Sequence, residues 1–438
     1  MKTLMALVLA FCSSMTAQIT SYLGPGILSR GAGDIGTRAG QDVDLRFYVS
    51  ATGVYDNGLE PYSVDGAGKL VTVSGLYGTE IAGGAYGVHK WRHAKLGLDY
   101  KGTYRHYTSN SFYDGTDHVL ALGYTYQKSR RLIFDLRQEA GSVSQANGFN
   151  GSLPVLNSAV VTPSNLLFDN RANYLQSTMQ ANYVLSAHTV LTLGGAGFGI
   201  WRKAPGLIGT QGYQLNGAIQ HRISSRTTLG VGYQHMHFDY PKAFGQADVN
   251  SVNAIWATQL GRFWTASAKA GVYQAEVEGL QQVAVDPEIT ALLGITSTVR
   301  TFYQKSTFPQ WNVTLGRKFQ RANLSFNYAN GVSSGNGVYL TSRSQTGGAD
   351  FSYTATRKWS FSVSGGYSRL SGIGQNLQPF SQINGGVGAT YAVTSPIHLV
   401  ARVDARHQEI TDATFRQTSY RASIGISFSP GDIPLAFH

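Results

Sequence analysis

The chain has 438 residues and a formal net charge of +11, yet only 13% of its residues are charged while 12% are aromatic. A typical soluble domain carries about 25% charged residues, so the composition argues against an ordinary soluble enzyme. No stretch approaches the about 18 consecutive apolar residues of a membrane-crossing helix. A closed β-barrel is compatible with both observations, because it satisfies its backbone hydrogen bonds without helices.

The N-terminal residues have the pattern of an export signal. A lysine precedes the apolar run 4–12, and small residues at 15–17 provide a cleavage site. These features predict a secretory signal peptide over 1–17. Residues 18–42 are glycine-rich and lack a strand pattern, so we expect a lead-in on the periplasmic side. Cys12 is the only cysteine, and we therefore expect neither a disulfide nor a cysteine metal site in the mature chain.

The chain then repeats a unit of two alternating stretches joined by a short basic turn, shown most clearly by residues 116–138. Leu120, Leu122 and Tyr124 alternate with small or polar residues, and 128–131 turn the chain. Side chains of a strand point to alternate faces. The unit therefore predicts strands with one apolar, aromatic-ended face and one polar face, which is typical of a transmembrane barrel.

In chain order, the pattern predicts eighteen strands, with sixteen or twenty left open if one hairpin is missed or split. The first begins at Val43, and the others fall near 76–90, 94–107, 116–127, 131–145, 173–186, 189–202, 211–223, 227–240, 248–260, 263–276, 304–315, 322–330, 345–356, 359–370, 380–393, 397–410 and 418–428. An even number places both chain ends on the same side of the membrane.

The predicted connections alternate between short and long, as expected for periplasmic turns and external loops. The short ones are 91–93, 128–130, 187–188, 224–226, 261–262, 316–321, 357–358 and 394–396, and the long ones include 56–75, 146–172, 241–247, 277–303 and 371–379. Asp286 followed by Pro287 predicts a short helix within one long loop.

With eighteen strands and polar inward faces, the chain resembles the porin-like outer-membrane barrels of Gram-negative bacteria over roughly residues 43–428. The last predicted strand ends at Phe428 and is similar to the aromatic-ended terminal strand of such proteins. The resemblance implies an all-β, antiparallel up-and-down barrel in a bacterial outer membrane. It also implies that the third external loop, 146–172, folds into the channel. Residues 429–438 contain two prolines and are predicted to form a short tail.

A rim of basic residues is predicted at the periplasmic end, where the short connections contain no Asp or Glu. Its members are Lys90, Arg92, Lys128, Arg130, Arg131, Arg226, Arg262, Arg317, Lys318, Arg321, Arg357 and Lys358. The first interpretation is contact with anionic phospholipid headgroups. The second is attraction of an acidic periplasmic export partner or an acidic polymer.

A second set of basic residues is predicted to face the lumen. Its members are Arg46, Lys101, Arg105, Arg137, Arg222, Lys269, Arg402, Arg406 and Arg421. Rings of Arg and Lys favour anions in a pore. The alternative is that these residues pair with nearby carboxylates and only make the wall rigid.

His235, His237 and Asp239 form the most chemistry-like group in the sequence. They suggest a metal site or a hydrolase site at the outer rim. Both histidines share the face of Leu229, however, which is expected to look toward lipid, so an interfacial role is the preferred interpretation. We assign no catalytic, cofactor-binding or metal-binding residue.

These observations predict a channel for passive diffusion of small hydrophilic solutes, with anionic solutes as a candidate class. Its expected partners are outer-membrane lipid and the solutes, without nucleic acid and without a cofactor. One alternative is a secretion conduit for an acidic exopolysaccharide. Another is a plugged barrel with a structural or enzymatic role.

Overall fold

A computed structural model describes residues 43–57, 63–64, 70–71, 75–108, 114–143, 172–203, 207–284, 297–354, 356, 358–375, 377–394, 396–411 and 416–429. The predicted signal peptide, the lead-in, the helix after Asp286 and the tail beyond Ser429 lie outside the described residues. Within them, no helix has the length and apolar content needed to cross a membrane.

Eighteen strands of the described chain form one sheet. They are β1 (Val43–Asp56), β4 (Leu76–Lys90), β5 (Ala94–Tyr107), β6 (Gly115–Gln127), β7 (Leu132–Val143), β8 (Ala172–Val184), β9 (Thr189–Arg202), β10 (Thr210–Arg222), β11 (Thr227–Tyr240), β12 (Gly245–Leu260), β13 (Trp264–Ala284), β14 (Ser297–Lys318), β15 (Ala322–Ser333), β16 (Ser342–Thr354), β17 (Trp359–Gly372), β18 (Phe380–Ala392), β19 (Ile397–Ile410) and β20 (Arg416–Phe428). Two short strands, β2 (Ser63–Val64) and β3 (Leu70–Val71), pair with each other outside this sheet.

The sheet closes on itself. Each strand pairs antiparallel with the next along the chain, and β20 returns to β1 in a register that runs from Val49 opposite Phe428 to Asp56 opposite Arg421. The predicted eighteen-stranded up-and-down barrel is therefore confirmed, and each predicted strand has its counterpart in the structure.

One predicted boundary is wrong. Strands β13 and β14 have 21 and 22 residues, so most of the predicted loop 277–303 is strand, and the connection between them is 285–296. The error arises because outward positions here carry Glu276, Glu278 and Lys305 instead of apolar side chains. Backbone pairing continues without that signal, since each strand supplies the hydrogen-bond partners of the other.

The outer surface is apolar along the strands. On β6, Leu120, Leu122, Tyr124 and Tyr126 are each exposed by 36–39%, whereas Asp117 on the opposite face is buried. The same alternation of exposed apolar and covered inward residues recurs around the barrel. A continuous apolar outer band of this kind is the surface that a lipid bilayer covers.

Four of the short turns share one local structure. The side-chain oxygens of Ser129, Ser186, Ser224 and Thr356 each accept backbone N–H groups from the residues two and three positions later, at 3.0–3.2 Å. This hydroxyl-capped turn satisfies the backbone where the strand ladder stops. Because the backbone is satisfied locally, the basic side chains of these turns are left at the surface.

Candidate functional site

The inner wall at the seam between the first and last strands is a charged network. Glu80 on β4 accepts a hydrogen bond from Arg421 Nη2 on β20 at 2.6 Å and lies 3.1 Å from Arg105 Nε on β5. Arg105 also pairs with Asp117 on β6. The side chains of Arg105 and Arg421 are only 1% and 7% exposed, so this network ties strands on both sides of the seam together.

Two further ion pairs line the same part of the wall. Arg402 Nε and Nη2 bind Asp404 on β19 at 2.7–2.9 Å. Arg137 Nη2 binds Glu139 at 3.3 Å, and the hydroxyl of Tyr174 donates to the same carboxylate at 3.1 Å. The predicted lumen cations in this region therefore stand beside carboxylates.

The other predicted lumen cations are placed differently. Lys101, Arg222 and Lys269 make no ion pair with the described part of the chain. Arg406 is 1% exposed. Arg46 lies opposite Tyr86 in the ladder, and its side chain is outside the described residues.

A second region of the inner wall is apolar. Toward the external ends of β8–β13, inward side chains belong to one buried cluster; they are Ala172, Tyr174, Phe198, Ile200, Met236, Phe238, Tyr240, Ala247, Val249, Tyr273, Ala275 and Val277, and Val332 and Ile373 join the cluster from later in the chain. Phe238 is 0% exposed, so protein atoms and not water cover this wall. No sequence motif predicted this cluster, although Met236, Phe238 and Tyr240 alternate on the inward face of one strand.

The connection between β15 and β16, residues 334–341, contributes to this covering and is called the mouth loop below. The hydroxyl of Tyr240, at the end of β11, bonds to Ser334 O at 3.3 Å and to Thr341 Oγ1 at 3.0 Å. Ile208 N donates to Gly337 O at 3.0 Å. The mouth loop therefore reaches from its own strands to the barrel wall at β9–β11.

The mouth loop is also held on its opposite side. Leu340 N donates to Gln375 Oε1 at 2.9 Å, and Gln375 Nε2 donates to Val338 O at 3.3 Å. Tyr339 packs with Leu370 and Phe380 in a second buried cluster. The loop is thus fixed between β9–β11 and β17–β18, across part of the external mouth.

Two glycines make the path of the mouth loop possible. Gly335 and Gly337 have φ angles of 74° and 94°, a region that other residues rarely adopt. A Cβ atom at Gly335 would overlap Tyr339 O, and one at Gly337 would lie 2.5 Å from Arg202 Nε. The backbone therefore approaches its neighbours more closely than a side chain permits.

The sequence resemblance assigned the narrowing role to loop 146–172. That loop lies outside the described residues except for Ala172, which begins β8 and is 1% exposed, so its role stays a prediction. The described loop that crosses the mouth is the mouth loop, which connects β15 and β16 later in the chain. Its Gly-Asn-Gly sequence at 335–337 indicates a tight turn, but a turn signal does not indicate the direction in which the loop folds.

The candidate His–His–Asp group is not assembled as one site. His237 Nδ1 lies 2.9 Å from Asp248 Oδ1, and His235 Nδ1 lies 3.0 Å from Asn250 Oδ1. Asp239 instead accepts a hydrogen bond from Gln211 at 2.7 Å. The described residues contain no group of three or more His, Cys, Asp or Glu side chains able to hold a metal ion.

The predicted basic rim lies at the end of the barrel that carries the short turns. Its described members are exposed except for Arg317, which is partly covered; they are Arg92, Lys128, Arg130, Arg131, Arg226, Arg262, Arg317, Lys318, Arg321 and Lys358. The side chain of Lys90, and Arg357 as a whole, lie outside the described residues. These basic residues therefore lie at the end of the barrel opposite the mouth loop, and their role as a charged rim stays a prediction.

No protein-family profile and no curated protein sequence matches this chain. Among solved structures, the chain is similar to Pseudomonas aeruginosa OccK2 (OpdF) in complex with glucuronate, at 11% identity and a TM-score of 0.44, covering 88% of this chain and 98% of that one. It is similar to a BenF-like porin from Pseudomonas fluorescens Pf-5, at 10% identity and a TM-score of 0.43, covering 88% and 99%. It is also similar to Pseudomonas aeruginosa OprD, at 9% identity and a TM-score of 0.38, covering 88% and 95%. At TM-scores below 0.5 these similarities do not establish a function for this chain.

Proposed function

We propose that the protein is an outer-membrane channel through which small hydrophilic solutes diffuse passively. The observation that carries this proposal is a closed eighteen-stranded barrel with an apolar outer surface and a charged inner wall. A barrel of this strand number is wide enough for an aqueous channel. The proposed location is the outer membrane of a Gram-negative bacterium, which the chain reaches through its predicted signal peptide.

The proposed selectivity is a mild preference for anionic solutes. Lys101, Arg222 and Lys269 face the lumen without an ion-pair partner among the described residues, and the basic rim adds positive potential at one mouth. Asp99 and Asp135 face the same lumen outside the described ion pairs. Because these carboxylates offset part of the positive charge, we expect a weak preference and not an exclusive one.

The mouth loop makes a polymer a less suitable cargo than a small solute. The basic rim favours the alternative of a conduit for an acidic exopolysaccharide, since it would attract such a polymer on the periplasmic side. The mouth loop, however, is held on two sides by Tyr240 and Gln375. A polymer strand in the part of the mouth that the loop crosses would have to displace it, whereas a small solute would only have to pass beside it.

The test is single-channel conductance of the refolded full chain in a planar bilayer under a potassium chloride gradient. We expect steady openings and a reversal potential that favours chloride. A reversal potential that favours potassium would contradict the proposed anion preference while leaving the channel in place. If the full chain does not conduct but a variant that lacks residues 335–340 does, the protein is a gated conduit; if neither form conducts, the barrel is plugged and the channel proposal is wrong.

A further inference from the structure

The periplasmic ends of β13 and β14 place an arginine against two aromatic rings. Arg317 is the ladder partner of Trp264, and its guanidinium carbon lies 4.8 Å from the centre of the Trp264 ring and 4.3 Å from the centre of the Phe319 ring. These three residues are called the Arg317 clamp below. Contact with two ring faces holds the planar guanidinium in one orientation, which a freely solvated side chain does not maintain.

The Arg317 clamp lies on the outer surface of the barrel. Asn312 pairs with the lumen-facing Lys269, so Val313 and Arg317, at odd-numbered positions of the same strand, face outward. Val313 is 39% exposed on this outer surface. Aromatic residues at the ends of barrel strands lie at the level of the lipid headgroups, so the two rings place the guanidinium at that level of the periplasmic leaflet.

The guanidinium has no protein counter-charge within the described part of the chain. No carboxylate pairs with Arg317 there, and its Nε atom is covered and has no hydrogen-bond acceptor. Lys318 N donates to Phe263 O at 2.9 Å, which holds this strand end against the neighbouring turn and its exposed Arg262. The positive charge of the clamp is therefore reinforced by its surroundings.

This arrangement is suited to an oxyanion. The two rings hold the guanidinium carbon at 4.8 and 4.3 Å, and the terminal N–H groups of a guanidinium match the oxygen spacing of a phosphate. Beside the clamp, the outward residues Val313, Leu324 and Phe326 provide an apolar surface that acyl chains can cover. A ligand that has both a phosphate and acyl chains satisfies both parts of the surface.

We propose that the Arg317 clamp binds the phosphate of an anionic glycerophospholipid of the periplasmic leaflet. The site depends on the barrel lying in a bilayer, as proposed above, and it assigns one lipid position on the barrel perimeter. We expect the site to bind a phospholipid more tightly than free phosphate, because the apolar surface beside the clamp contributes to binding only when acyl chains are present.

The test is native mass spectrometry of the refolded full chain, released from detergent after titration with phosphatidylglycerol. The variants are Arg317→Gln and, as a matched control, Arg226→Gln, which removes the same charge from an exposed turn where no described ring contacts the arginine. We expect Arg317→Gln to lower the retention of the first lipid by roughly tenfold, as the loss of a charge-assisted hydrogen bond predicts. We expect Arg226→Gln to change it by less than about twofold, since exposed charges contribute little.

Two additional ligands distinguish the contribution of the phosphate to binding from that of the rest of the lipid. Diacylglycerol, which lacks the phosphate, is expected to show no difference between wild type and Arg317→Gln. Inorganic phosphate is expected not to displace phosphatidylglycerol at the same concentration. Equal losses in the two arginine variants, or displacement by inorganic phosphate, would overturn the proposed site.

If Arg317→Gln does not refold, Arg317→Lys keeps the charge and loses the planar group. We expect this variant to retain several-fold less lipid than wild type, because an ammonium group neither stacks as a plane nor offers paired N–H groups. Retention equal to wild type would overturn the clamp. If the protein conducts ions but retains no lipid, the proposed lipid site is wrong and the channel proposal stands. If it retains lipid without conducting, the channel proposal is wrong and the lipid site stands.

Discussion

Two regions of the inner wall face the same interior and have opposite composition. Around the seam, Glu80, Arg105 and Arg421 form a charged network, whereas the external ends of β8–β13 carry residues such as Phe238 and Tyr273. Both sets of side chains occupy inward positions of the same closed sheet. The two regions differ in what covers their side chains, since the apolar region is covered by protein that includes the mouth loop.

The difference shows that an inward position in a wide barrel is not necessarily exposed to solvent. A charged wall requires either water or partners, because an unpaired buried charge is costly. An apolar wall requires protein atoms to cover it, because exposed apolar area in water is unfavourable. The composition of each region therefore matches the material that covers it. The contrast between the two regions leads to four predictions.

The largest expected effect is loss of the seam network. Glu80→Gln removes the carboxylate shared by Arg105 and Arg421 and leaves two largely buried positive charges with less compensation. We expect the free energy of unfolding, measured by urea titration of the refolded protein, to fall by about 3–5 kcal/mol.

The control is the same change at Glu276, whose pair with Lys305 lies on the exposed outer face. Exposed ion pairs contribute little, so Glu276→Gln is expected to leave the unfolding curve nearly unchanged. Equal effects at the two positions would mean that the inner wall at the seam behaves as an ordinary solvated surface.

The next effect concerns the backbone of the mouth loop. Gly335→Ala places a Cβ atom on Tyr339 O and at a φ of 74°, so the docked conformation is expected to lose about 1–3 kcal/mol. An undocked loop would widen the external mouth, and single-channel conductance should increase. The control is Gly331→Ala, where a Cβ atom would meet nothing nearer than 3.7 Å; an unchanged conductance in Gly335→Ala would show that the loop does not narrow the path.

A smaller effect is expected from the hydrogen bonds that hold the loop to the apolar wall. Tyr240→Phe keeps the ring but removes the hydroxyl that bonds to Ser334 O and Thr341 Oγ1. A typical intramolecular hydrogen bond contributes a net of about 0.5–1.5 kcal/mol, so amide hydrogen exchange in 334–341 should become faster. Tyr273→Phe is the matched control, because the Tyr273 hydroxyl has no hydrogen-bond partner in the described structure, and faster exchange in both variants would argue against a specific tether.

The smallest effect concerns selectivity. Lys269→Gln removes one lumen charge that has no ion-pair partner among the described residues. The chloride-to-potassium permeability ratio should fall by less than about twofold, because one charge in a wide aqueous lumen acts through a high dielectric. Lys305→Gln, on the outer face, should leave the ratio unchanged, and a ratio that rises in Lys269→Gln would contradict the proposed contribution of this lysine.

The strand pattern could be predicted because it depends on local sequence. Alternation such as Leu120, Leu122 and Tyr124 has period two, and a lipid-facing strand must show it to cover its outer face. The hydroxyl-capped turns recur for the same local reason. The extended pairing of β13 and β14 was missed because, outside the apolar band, the outward residues no longer distinguish strand from loop.

The arrangement of the interior could not be predicted in the same way. The sequence alone determined a barrel with alternating faces, charged residues on inward positions and basic short turns. The tertiary structure was needed to show that Glu80 joins Arg105 and Arg421 across the seam, that the mouth loop crosses to Tyr240, and that Arg317 contacts Trp264 on the neighbouring strand. Each of these contacts joins residues on different strands or distant along the chain, and strand register and barrel closure, which a period-two pattern does not encode, bring them together.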